Sequence, residues 1–228
     1  MGSIIEIKNV TRDFQTPGGK VSVLKGINAT IQADTMCILR GKSGSGKTTL
    51  LNIIGALDDP TSGQILIDGT SSHGMSSRAR ENMRRSRMGF VFQSVSLIPS
   101  MNAIQNVEFA MRMAGIRDNL DKRAAECLSI VGLSNRMTHM PQEMSGGEQQ
   151  RVAIARAIAH HPKIILADEP TAELDSGMAV EVTKLFKRIS EEEKVTIIMT
   201  THDVGLMGAG DQLIELKNGR IEGSEENA

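Results

Sequence analysis

The sequence predicts an α/β fold in which a mixed β-sheet is covered by helices and joined by an antiparallel β layer at the N-terminus. Three observations predict this fold. Short apolar runs separated by turn residues fill the first third of the chain, and apolar residues recur at helical spacing in the middle. In the last third, apolar strands alternate with amphipathic helices, which is typical of parallel strands buried on both faces.

The first third is expected to supply the antiparallel layer, because its short runs are flanked by Gly, Pro, Asp or Asn. These runs are residues 4–10, 22–24, 28–31 and 64–67. Residues 36–39 are apolar throughout and predict a buried strand, and residues 49–54 predict the start of a helix. The α/β core therefore begins within this third.

The middle of the chain is expected to be helical and the last third to alternate. The helical spacing appears at Ile104, Val107, Met111 and Ala114, and a further helix is predicted over residues 121–131. Later strands are predicted at 164–167, 195–201 and 213–216, with a helix at 178–190. A turn at Lys217-Asn218-Gly219 follows, and we expect the polar tail 223–228 to be frayed.

Charge and composition exclude several classes of function. The formal net charge is −1, from 26 Lys and Arg against 27 Asp and Glu, which argues against a general binder of nucleic acid or of anionic membranes. The two cysteines, Cys37 and Cys127, have no second thiol or His pattern beside them, so we expect an intracellular, reduced protein. No 18-residue apolar stretch and no signal peptide is evident, so any membrane role is expected to come through a partner.

Residues 41–48, Gly-Lys-Ser-Gly-Ser-Gly-Lys-Thr, fit the pattern G-x-x-x-x-G-K-[ST] at every fixed position. Glycines let successive backbone N–H groups converge on an anion, and the following helix adds its positive dipole end. The pattern predicts a nucleoside triphosphate site in a P-loop NTPase (RecA-like) core, against the alternative of a Gly/Ser-rich surface turn. The residues expected to hold the nucleotide are Gly41, Ser43, Gly44, Ser45, Gly46, Lys47, Thr48 and Thr49.

Within this segment, Lys47 is expected to reach the β- and γ-phosphates, and the Thr48 hydroxyl to ligate Mg²⁺. Asp168 and Glu169 follow the predicted strand 164–167, at the strand end where open α/β sheets place ligands. We expect Asp168 to support Mg²⁺ and Glu169 to orient and deprotonate the attacking water. The alternative for such a pair is a solvated turn.

Two further segments are candidates for the same chemistry. His202 follows the predicted strand 195–201 and is expected to hydrogen-bond the γ-phosphate, although a lone His is more often structural. The stretch Ser145-Gly146-Gly147 opens a helix and offers a hydroxyl and backbone N–H groups, a second anion-binding surface. One chain does not need two such surfaces for one triphosphate. Two chains packed head to tail, each completing the site of the other, would explain both.

With these motifs in order, the chain resembles the nucleotide-binding subunits of ATP-binding cassette (ABC) transporters over nearly all of its length. Met144-Ser145-Gly146-Gly147-Glu148 stands at the LSGGQ signature, Gln93 at the Q-loop, Ala172-Glu173-Leu174-Asp175 at the D-loop and His202 at the switch histidine. The resemblance implies that Gln93 ligates Mg²⁺ and acts with Glu169 and His202 in hydrolysis, and that Asp175 organises the dimer interface. It also places Phe14 where the family stacks an aromatic ring on adenine; a core residue at an edge strand is the alternative.

The sequence departs from the family pattern at three points. Glu148 stands where Gln is common and brings a carboxylate near the second anion surface, though it is last in the motif and could point away from phosphate. Met144 replaces Leu, a tolerable change of volume. Ala172-Glu173 stands where a pair of small residues is frequent, so communication between the two sites could differ.

The resemblance also implies a domain plan. The whole of 1–228 would form one ABC domain, with 1–93 and 160–228 as the catalytic lobe and 94–159 as a helical subdomain that carries the signature.

The segments 55–63, 89–93 and 149–157 are similar to the MacB/LolD/FtsE branch. For that branch the resemblance implies a homodimer around ATP and Mg²⁺ at the cytoplasmic face of the cell membrane, driving a separate FtsX/MacB-like permease that exports or extracts peptides, drugs or lipoproteins. Regulation of cell-wall hydrolases, as for FtsE, is the alternative. A soluble ABC protein acting on ribosomes or DNA is disfavoured by the single cassette and balanced charge.

A docking groove for the permease is expected just after Gln93. Leu97, Ile98, Pro99 and Met101 are apolar residues in a predicted loop, where exposed apolar groups usually indicate a partner. A small buried satellite cluster is the alternative. Five arginines precede this loop, Arg78, Arg80, Arg84, Arg85 and Arg87. They favour a solvated helix face over contact with lipid headgroups or the permease.

Overall fold

In the computed structural model, which describes residues 2–226, the strands form two sheets. The strands are β1 (Ser3–Thr16), β2 (Gly19–Gln32), β3 (Met36–Arg40), β4 (Ser62–Ile67), β5 (Thr70–Ser71), β6 (Met88–Val91), β7 (Ile164–Ala167), β8 (Thr196–Thr201), β9 (Gln212–Lys217) and β10 (Arg220–Glu226). The first sheet is antiparallel, in the order β2-β1-β4-β5. The second has the order β10-β9-β3-β8-β7-β6 and is parallel except for β10, so the predicted mixed sheet and N-terminal antiparallel layer are confirmed.

Helices connect and cover these strands. They are α1 (Lys47–Ile54), α2 (Ser77–Arg87), α3 (Ala103–Met113), α4 (Leu120–Ile130), α5 (Gly146–Ile158) and α6 (Ser176–Glu193), with short 3₁₀ helices at Pro141–Glu143 and Val204–Ala209. Helices α3 to α5 lie between β6 and β7 in the chain, within the segment 94–159 expected to form a helical subdomain. None of the helices in the described part of the chain has both the length and the apolarity needed to cross a membrane.

The antiparallel layer differs from the prediction in one respect. The separate strands expected at 22–24 and 28–31 are one continuous strand, β2, and β1 runs on from residue 10 to Thr16. The polar and glycine residues that suggested a break form β-bulges instead, where Asn9 and Gly26 take left-handed φ angles of 48° and 79°. A bulge absorbs one extra residue without ending the strand, so a Gly inside it is no reason to predict a turn.

The tail was also predicted wrongly as far as residue 226. Residues 220–226 form β10, which pairs with β9 in a hairpin. Asn218 and Gly219 make the turn with φ angles of 51° and 78°, the combination that a type I′ hairpin requires and that Asn-Gly supplies. Residues 227 and 228 lie outside the described range.

Apolar side chains form two clusters, one on each side of the parallel sheet. One joins α1 and the N-terminal layer to the sheet, with Ile5, Leu50 and Leu166 among its members. The other joins α3, α4, α5 and α6 to the opposite face, with Val107, Phe186 and Ile197 among its members. Each fully buried side chain of this size contributes about 1.5–3 kcal/mol to folding.

The parallel register brings three chain segments to one edge of the sheet. Arg40 at the end of β3 pairs with Thr201 at the end of β8, and Ala167 at the end of β7 pairs with Met199. The residues that follow these three strands therefore emerge side by side at the carboxyl edge, where ligands bind in open α/β sheets.

Candidate functional site

The segment 41–48 forms a tight loop between β3 and α1. Gly46 caps α1 in a left-handed conformation with φ of 107°, and Gly44 has φ of 76°. A Cβ atom on Gly41 would collide with the Leu216 carbonyl oxygen and with Ser45 Oγ. Glycine is therefore needed at 41 for space and at 44 and 46 for backbone conformation, and the loop leads into a helix N-terminus that favours anions.

Lys47 is held inside this loop, with only 4% of its surface exposed. Its ammonium donates hydrogen bonds to the carbonyl oxygens of Gly41 (2.8 Å) and Lys42 (3.3 Å). It also lies 3.2 Å from Oε1 of Glu169. A buried cation must be paired and hydrogen-bonded, and here the loop carbonyls and one carboxylate do this.

The carboxylates of Asp168 and Glu169 form hydrogen bonds with different partners. The Thr48 hydroxyl donates to Asp168 Oδ1 at 3.2 Å. Glu169 has a left-handed φ of 44°, an uncommon conformation for a residue other than glycine and one that clusters at functional sites. Its Oε2 accepts a hydrogen bond of 2.9 Å from His202 Nδ1. Since an ionised carboxylate accepts hydrogen bonds only, Nδ1 carries the proton.

Lys47, Thr48, Glu169 and His202 border an open cavity of about 920 Å³, large enough for a nucleotide. Of the residues predicted from the sequence, the cavity wall contains Gly41, Ser43, Gly44, Gly46, Lys47, Thr48, Thr49, Gln93, Glu169 and His202. The hydroxyl of Thr48, the amide of Gln93 and the carboxylate of Asp168 offer oxygen ligands of the kind that Mg²⁺ prefers beside phosphates. The glycine cradle, the buried ammonium and these oxygens fit a magnesium nucleotide.

The remaining predicted site residues, Phe14, Ser45, Ser145, Gly146, Gly147, Asp168 and Asp175, lie outside this wall. Ser45 is buried, and its Oγ packs into the space left by Gly41. Phe14 is 37% exposed and is therefore not a core residue. The guanidinium of Arg12 lies 4.5 Å from the centroid of the Phe14 ring, a cation–π contact, and Arg12 is itself paired with Asp58 at 2.7 Å.

Ser145, Gly146 and Gly147 also lie outside the cavity wall, at the start of α5. The Ser145 hydroxyl accepts a hydrogen bond from the Glu148 backbone N–H and keeps its own hydrogen to donate. Apart from its chain neighbours and its own helix backbone, no atom of residues 2–226 lies within 4 Å of the position that a Cβ on Gly146 would take, whereas the end of the Met178 side chain fills that space at Gly147. The turn is therefore open at Gly146 and closed toward α6 at Gly147.

The carboxylate of Glu148, whose direction the sequence left open, folds back on its own helix. It accepts a 2.8 Å hydrogen bond from the Ser145 N–H, completing a capping box, and lies 3.0 Å from Nε of Arg136. The Ser145 amide and the Arg136 cation hold the pKa of Glu148 below its ordinary value. Asp175 is likewise engaged locally, since its Oδ1 caps α6 by accepting from the Met178 N–H at 3.0 Å.

An apolar groove lies beside the segment after Gln93, but of Leu97, Ile98, Pro99 and Met101, which were predicted to form it, only Ile98 lines it. Leu97, Ile98 and Met101 are half-buried, and Leu97 packs against the core. Four exposed apolar side chains from three other segments, Leu57, Phe92, and Phe109 and Met113 of α3, line a groove of about 550 Å³ together with Ile98. We call this surface the apolar groove.

Two residues that the sequence analysis missed fix the loop beside the groove. Asn106 of α3 is fully buried; its Oδ1 accepts from the Ile98 N–H at 2.8 Å and its amide donates to the Met101 carbonyl at 2.8 Å. Arg156 of α5 donates to the Ser96 carbonyl at 2.7 Å. A polar residue on the apolar stripe of a helix was the available signal for Asn106.

The arginines before this loop lie on α2, and several have partners within the chain. Arg80 pairs with Asp59 at 2.5 Å, and Arg84 donates to the Ala56 carbonyl at 2.6 Å. Arg84 and Arg85 also border the apolar groove. Arg156 and Glu81 line it as well, so the apolar groove carries three arginines against one carboxylate, an excess of positive charge that we call its basic rim.

Comparison with known proteins gives one consistent result. Residues 24–172 match the ABC transporter family. The chain is 42% identical to the ABC transporter ATP-binding protein MJ0796 of Methanocaldococcus jannaschii over 97% of both chains. It is 42% identical to the lipoprotein-releasing system ATP-binding protein LolD of Porphyromonas gingivalis, over 96% of this chain and 98% of LolD.

The macrolide export ATP-binding/permease protein MacB of Syntrophobacter fumaroxidans is 40% identical over 96% of this chain, which spans 31% of MacB. The dimeric structure of MJ0796 in a post-hydrolysis state, bound to ADP and Pi, superposes with a TM-score of 0.88 and 40% identity, covering 97% of this chain and 98% of that one.

Proposed function

The chain belongs to the ABC transporter family as an ATP-binding subunit with ATPase activity, and we propose that it drives a separate permease of the MacB/FtsX type in a cell membrane. In this proposal the subunit binds peripherally at the cytoplasmic face and powers export or extraction of lipoproteins, peptides or drugs. The names of LolD and MacB, a lipoprotein-releasing and a macrolide export protein, support that class of substrate.

We propose that Lys47 and the loop amides hold the phosphates, and that Thr48, Gln93 and Asp168 hold Mg²⁺. When bound, Mg²⁺ supplies charge that neutralises the phosphate oxygens. Glu169 takes a proton from the attacking water as the water oxygen bonds to the γ-phosphorus, and the bond to the β–γ bridging oxygen breaks to release ADP. The hydrogen bond between Glu169 and His202 supports a role for His202 in orienting Glu169 and the γ-phosphate.

One observation carries the proposal that two copies act together. The cavity wall is formed without Ser145, Gly146 and Gly147, although this turn offers a free hydroxyl hydrogen and an open helix N-terminus. We propose that the turn of each subunit contacts the γ-phosphate bound to the other, so that two ATP molecules are sandwiched in a head-to-tail homodimer. The dimeric form of the MJ0796 structure supports this arrangement.

Dilution tests this proposal. We expect the ATPase rate per molecule to rise with protein concentration and then to reach a plateau, because each site needs a second chain. Replacing Ser145 by Ala should lower the rate and shift the plateau to higher concentration. A rate per molecule that is independent of dilution, and equal in the Ser145→Ala variant, would refute the shared site.

We further propose that the permease docks in the apolar groove through an apolar segment that carries acidic residues. The exposed side chains of Phe92, Phe109 and Met113 support an apolar contact. Arg84 and Arg85 at the rim carry positive charge and therefore favour acidic residues on the partner. Identification of the membrane protein that co-purifies with the chain in detergent tests the partner directly. A co-purified protein without membrane-spanning segments would contradict the transporter assignment.

A further inference from the structure

Thr200 on β8 joins the two carboxylate residues of the site. Its Oγ1 lies 2.7 Å from Oδ1 of Asp168, and the backbone nitrogen of Glu169 lies 2.8 Å from the same Oγ1. The side chain is fully buried. We infer that Thr200 is a positioning residue for ATP hydrolysis, which sets Asp168 and Glu169 in register with each other. This inference rests on the proposed roles of these two residues.

The chemistry of the two partners fixes the direction of both hydrogen bonds. An ionised carboxylate has no hydrogen to give, so the Thr200 hydroxyl donates to Asp168. A backbone N–H can only donate, so the same oxygen accepts from Glu169. One hydroxyl therefore connects a side chain that faces Thr48 with the backbone of the residue that faces Lys47 and His202.

Glu169 needs such an acceptor because it lies beyond the regular pairing of the sheet. The register of β7 with β8 ends at Ala167, and the Asp168 N–H donates to the Val91 carbonyl at 2.9 Å. The chain then turns into the left-handed conformation of Glu169 and reaches Pro170. An uncommon backbone conformation is kept only when surrounding contacts stabilise it. Here the hydrogen bond from the Glu169 N–H to the Thr200 hydroxyl is such a contact.

A comparison of three substitutions separates positioning from packing. Thr200→Val keeps the shape and removes the hydroxyl, Thr200→Ser keeps the hydroxyl and removes the methyl group, and Thr200→Ala removes both. We expect Thr200→Val and Thr200→Ala to lower the kcat of ATP hydrolysis by about 10- to 100-fold with KM for ATP changed less than about threefold, as for other residues that orient a site through hydrogen bonds. The kcat of Thr200→Ser should stay within about threefold of the wild type.

A role in packing alone would rank the kcat values of the three Thr200 variants differently. If Thr200 only fills space, the kcat of Thr200→Val should equal that of the wild type and the kcat of Thr200→Ser should resemble that of Thr200→Ala, and that order would overturn the inference. Thr200→Ser and Thr200→Ala both lack the methyl group and differ only in the hydroxyl. Their comparison therefore separates positioning from packing even where Thr200→Val folds poorly.

Thr196 provides a matched control on the same strand. It is also fully buried, and its hydroxyl accepts a hydrogen bond from the Asp34 N–H at 2.9 Å, at the other end of β8. Thr196→Val should lower thermal stability without lowering kcat. An equal loss of kcat in both Val variants would overturn the inference, since it would show a general effect of a lost strand hydroxyl.

A measurement without nucleotide completes the test. Hydrogen exchange of the Glu169 amide should be slow in the wild type and in Thr200→Ser, and faster in Thr200→Val. Unchanged protection in Thr200→Val would refute the hydrogen bond itself. Glu169→Gln, measured alongside, separates the two levels of the argument: full turnover in Glu169→Gln contradicts the proposed catalytic role, whereas loss there with full turnover in Thr200→Val contradicts only the role of Thr200.

Discussion

The ammonium nitrogen of Lys47 lies 3.2 Å from Oε1 of Glu169, so that the cation of the phosphate loop and the carboxylate after β7 form an ion pair. Lys47 is almost fully buried and Glu169 is partly exposed. The phosphates of a nucleotide compete with Glu169 for this cation. Binding of ATP is therefore expected to release Glu169 from Lys47 and leave its carboxylate for the attacking water.

Replacing Glu169 by Gln should trap an ATP-bound dimer. The amide keeps the size of the side chain but cannot take a proton from water, so ATP persists between the subunits. We expect turnover to fall at least 100-fold, within the range of general-base catalysis. Light scattering at saturating Mg-ATP should then give twice the monomer mass, and Glu181→Gln on the exposed face of α6 serves as the control. A purely monomeric Glu169→Gln variant would contradict this mechanism.

Replacing Lys47 by Ala should weaken ATP binding by about 10- to 100-fold, because charge-assisted hydrogen bonds contribute about 1.5–3 kcal/mol. Titration calorimetry measures the affinity. Lys163→Ala removes an equal charge from an exposed ion pair with Asp68, and this control should leave the affinity for ATP unchanged. Equal affinities in both variants would show that residues 41–48 do not hold the phosphates.

Charged substitutions in the apolar groove should uncouple the permease. Phe109→Asp and Met113→Asp place a carboxylate on exposed positions of α3, so we expect basal ATPase activity to persist while stimulation by the permease falls at least tenfold, a loss of about 1.4 kcal/mol of coupling. Val180→Asp, on the exposed surface of α6, is the control. If both groove variants still co-purify with the permease and respond to it, the permease docks elsewhere.

The capping carboxylate of Glu148 should make fold stability depend on pH in the acidic range. Its pKa in the folded chain is depressed below the model-peptide value of 4.5, so its contribution is present above that value and is lost as pH falls through the folded pKa. Glu148→Gln keeps the capping box and removes the titration. Urea unfolding measures the free energy of unfolding of wild type and variant. The difference between the two should be below about 1 kcal/mol, constant from pH 7 to 5.5, and should shrink below pH 4.5. A constant difference down to pH 3 would contradict this.

Arg136 should matter because it neutralises Glu148. With Arg136→Ala, an uncompensated carboxylate remains in the turn that we propose contacts the phosphate bound to the other subunit. We expect ATP-dependent dimerisation in the Glu169→Gln background to weaken by about fivefold, the effect of about 1 kcal/mol between two charges in water. Adding Glu148→Gln should restore it. Failure of that second substitution to restore dimerisation, measured by light scattering, would show that Arg136 acts by another route.

Most of the nucleotide cavity was predictable because its parts follow strand ends. Glu169 and His202 lie at the ends of β7 and β8, the loop that carries Lys47 follows β3, and a parallel sheet brings such ends together. Thr200 escaped prediction because a Thr in a strand indicates only strand formation; its neighbours across the sheet decide what the hydroxyl contacts.

The apolar groove was less predictable for a related reason. Leu57, Phe92 and Phe109 come from separate segments that no local pattern connects. The antiparallel layer was misjudged at Gly26 because a bulge and a turn use the same residue types. The hairpin after β9 was missed although Asn218-Gly219 carries a strong local signal for it.

The second residue of that hairpin turn also reaches the nucleotide end of the molecule. The N–H of Gly219 donates to the Ser45 carbonyl at 3.1 Å, and the Gly219 carbonyl accepts from the Lys25 N–H at 2.8 Å. One residue thus joins the phosphate loop to the N-terminal layer. A fusion partner, antibody or binding protein that pulls on the final two strands would loosen this connection, and ATP affinity would change without any contact with ATP.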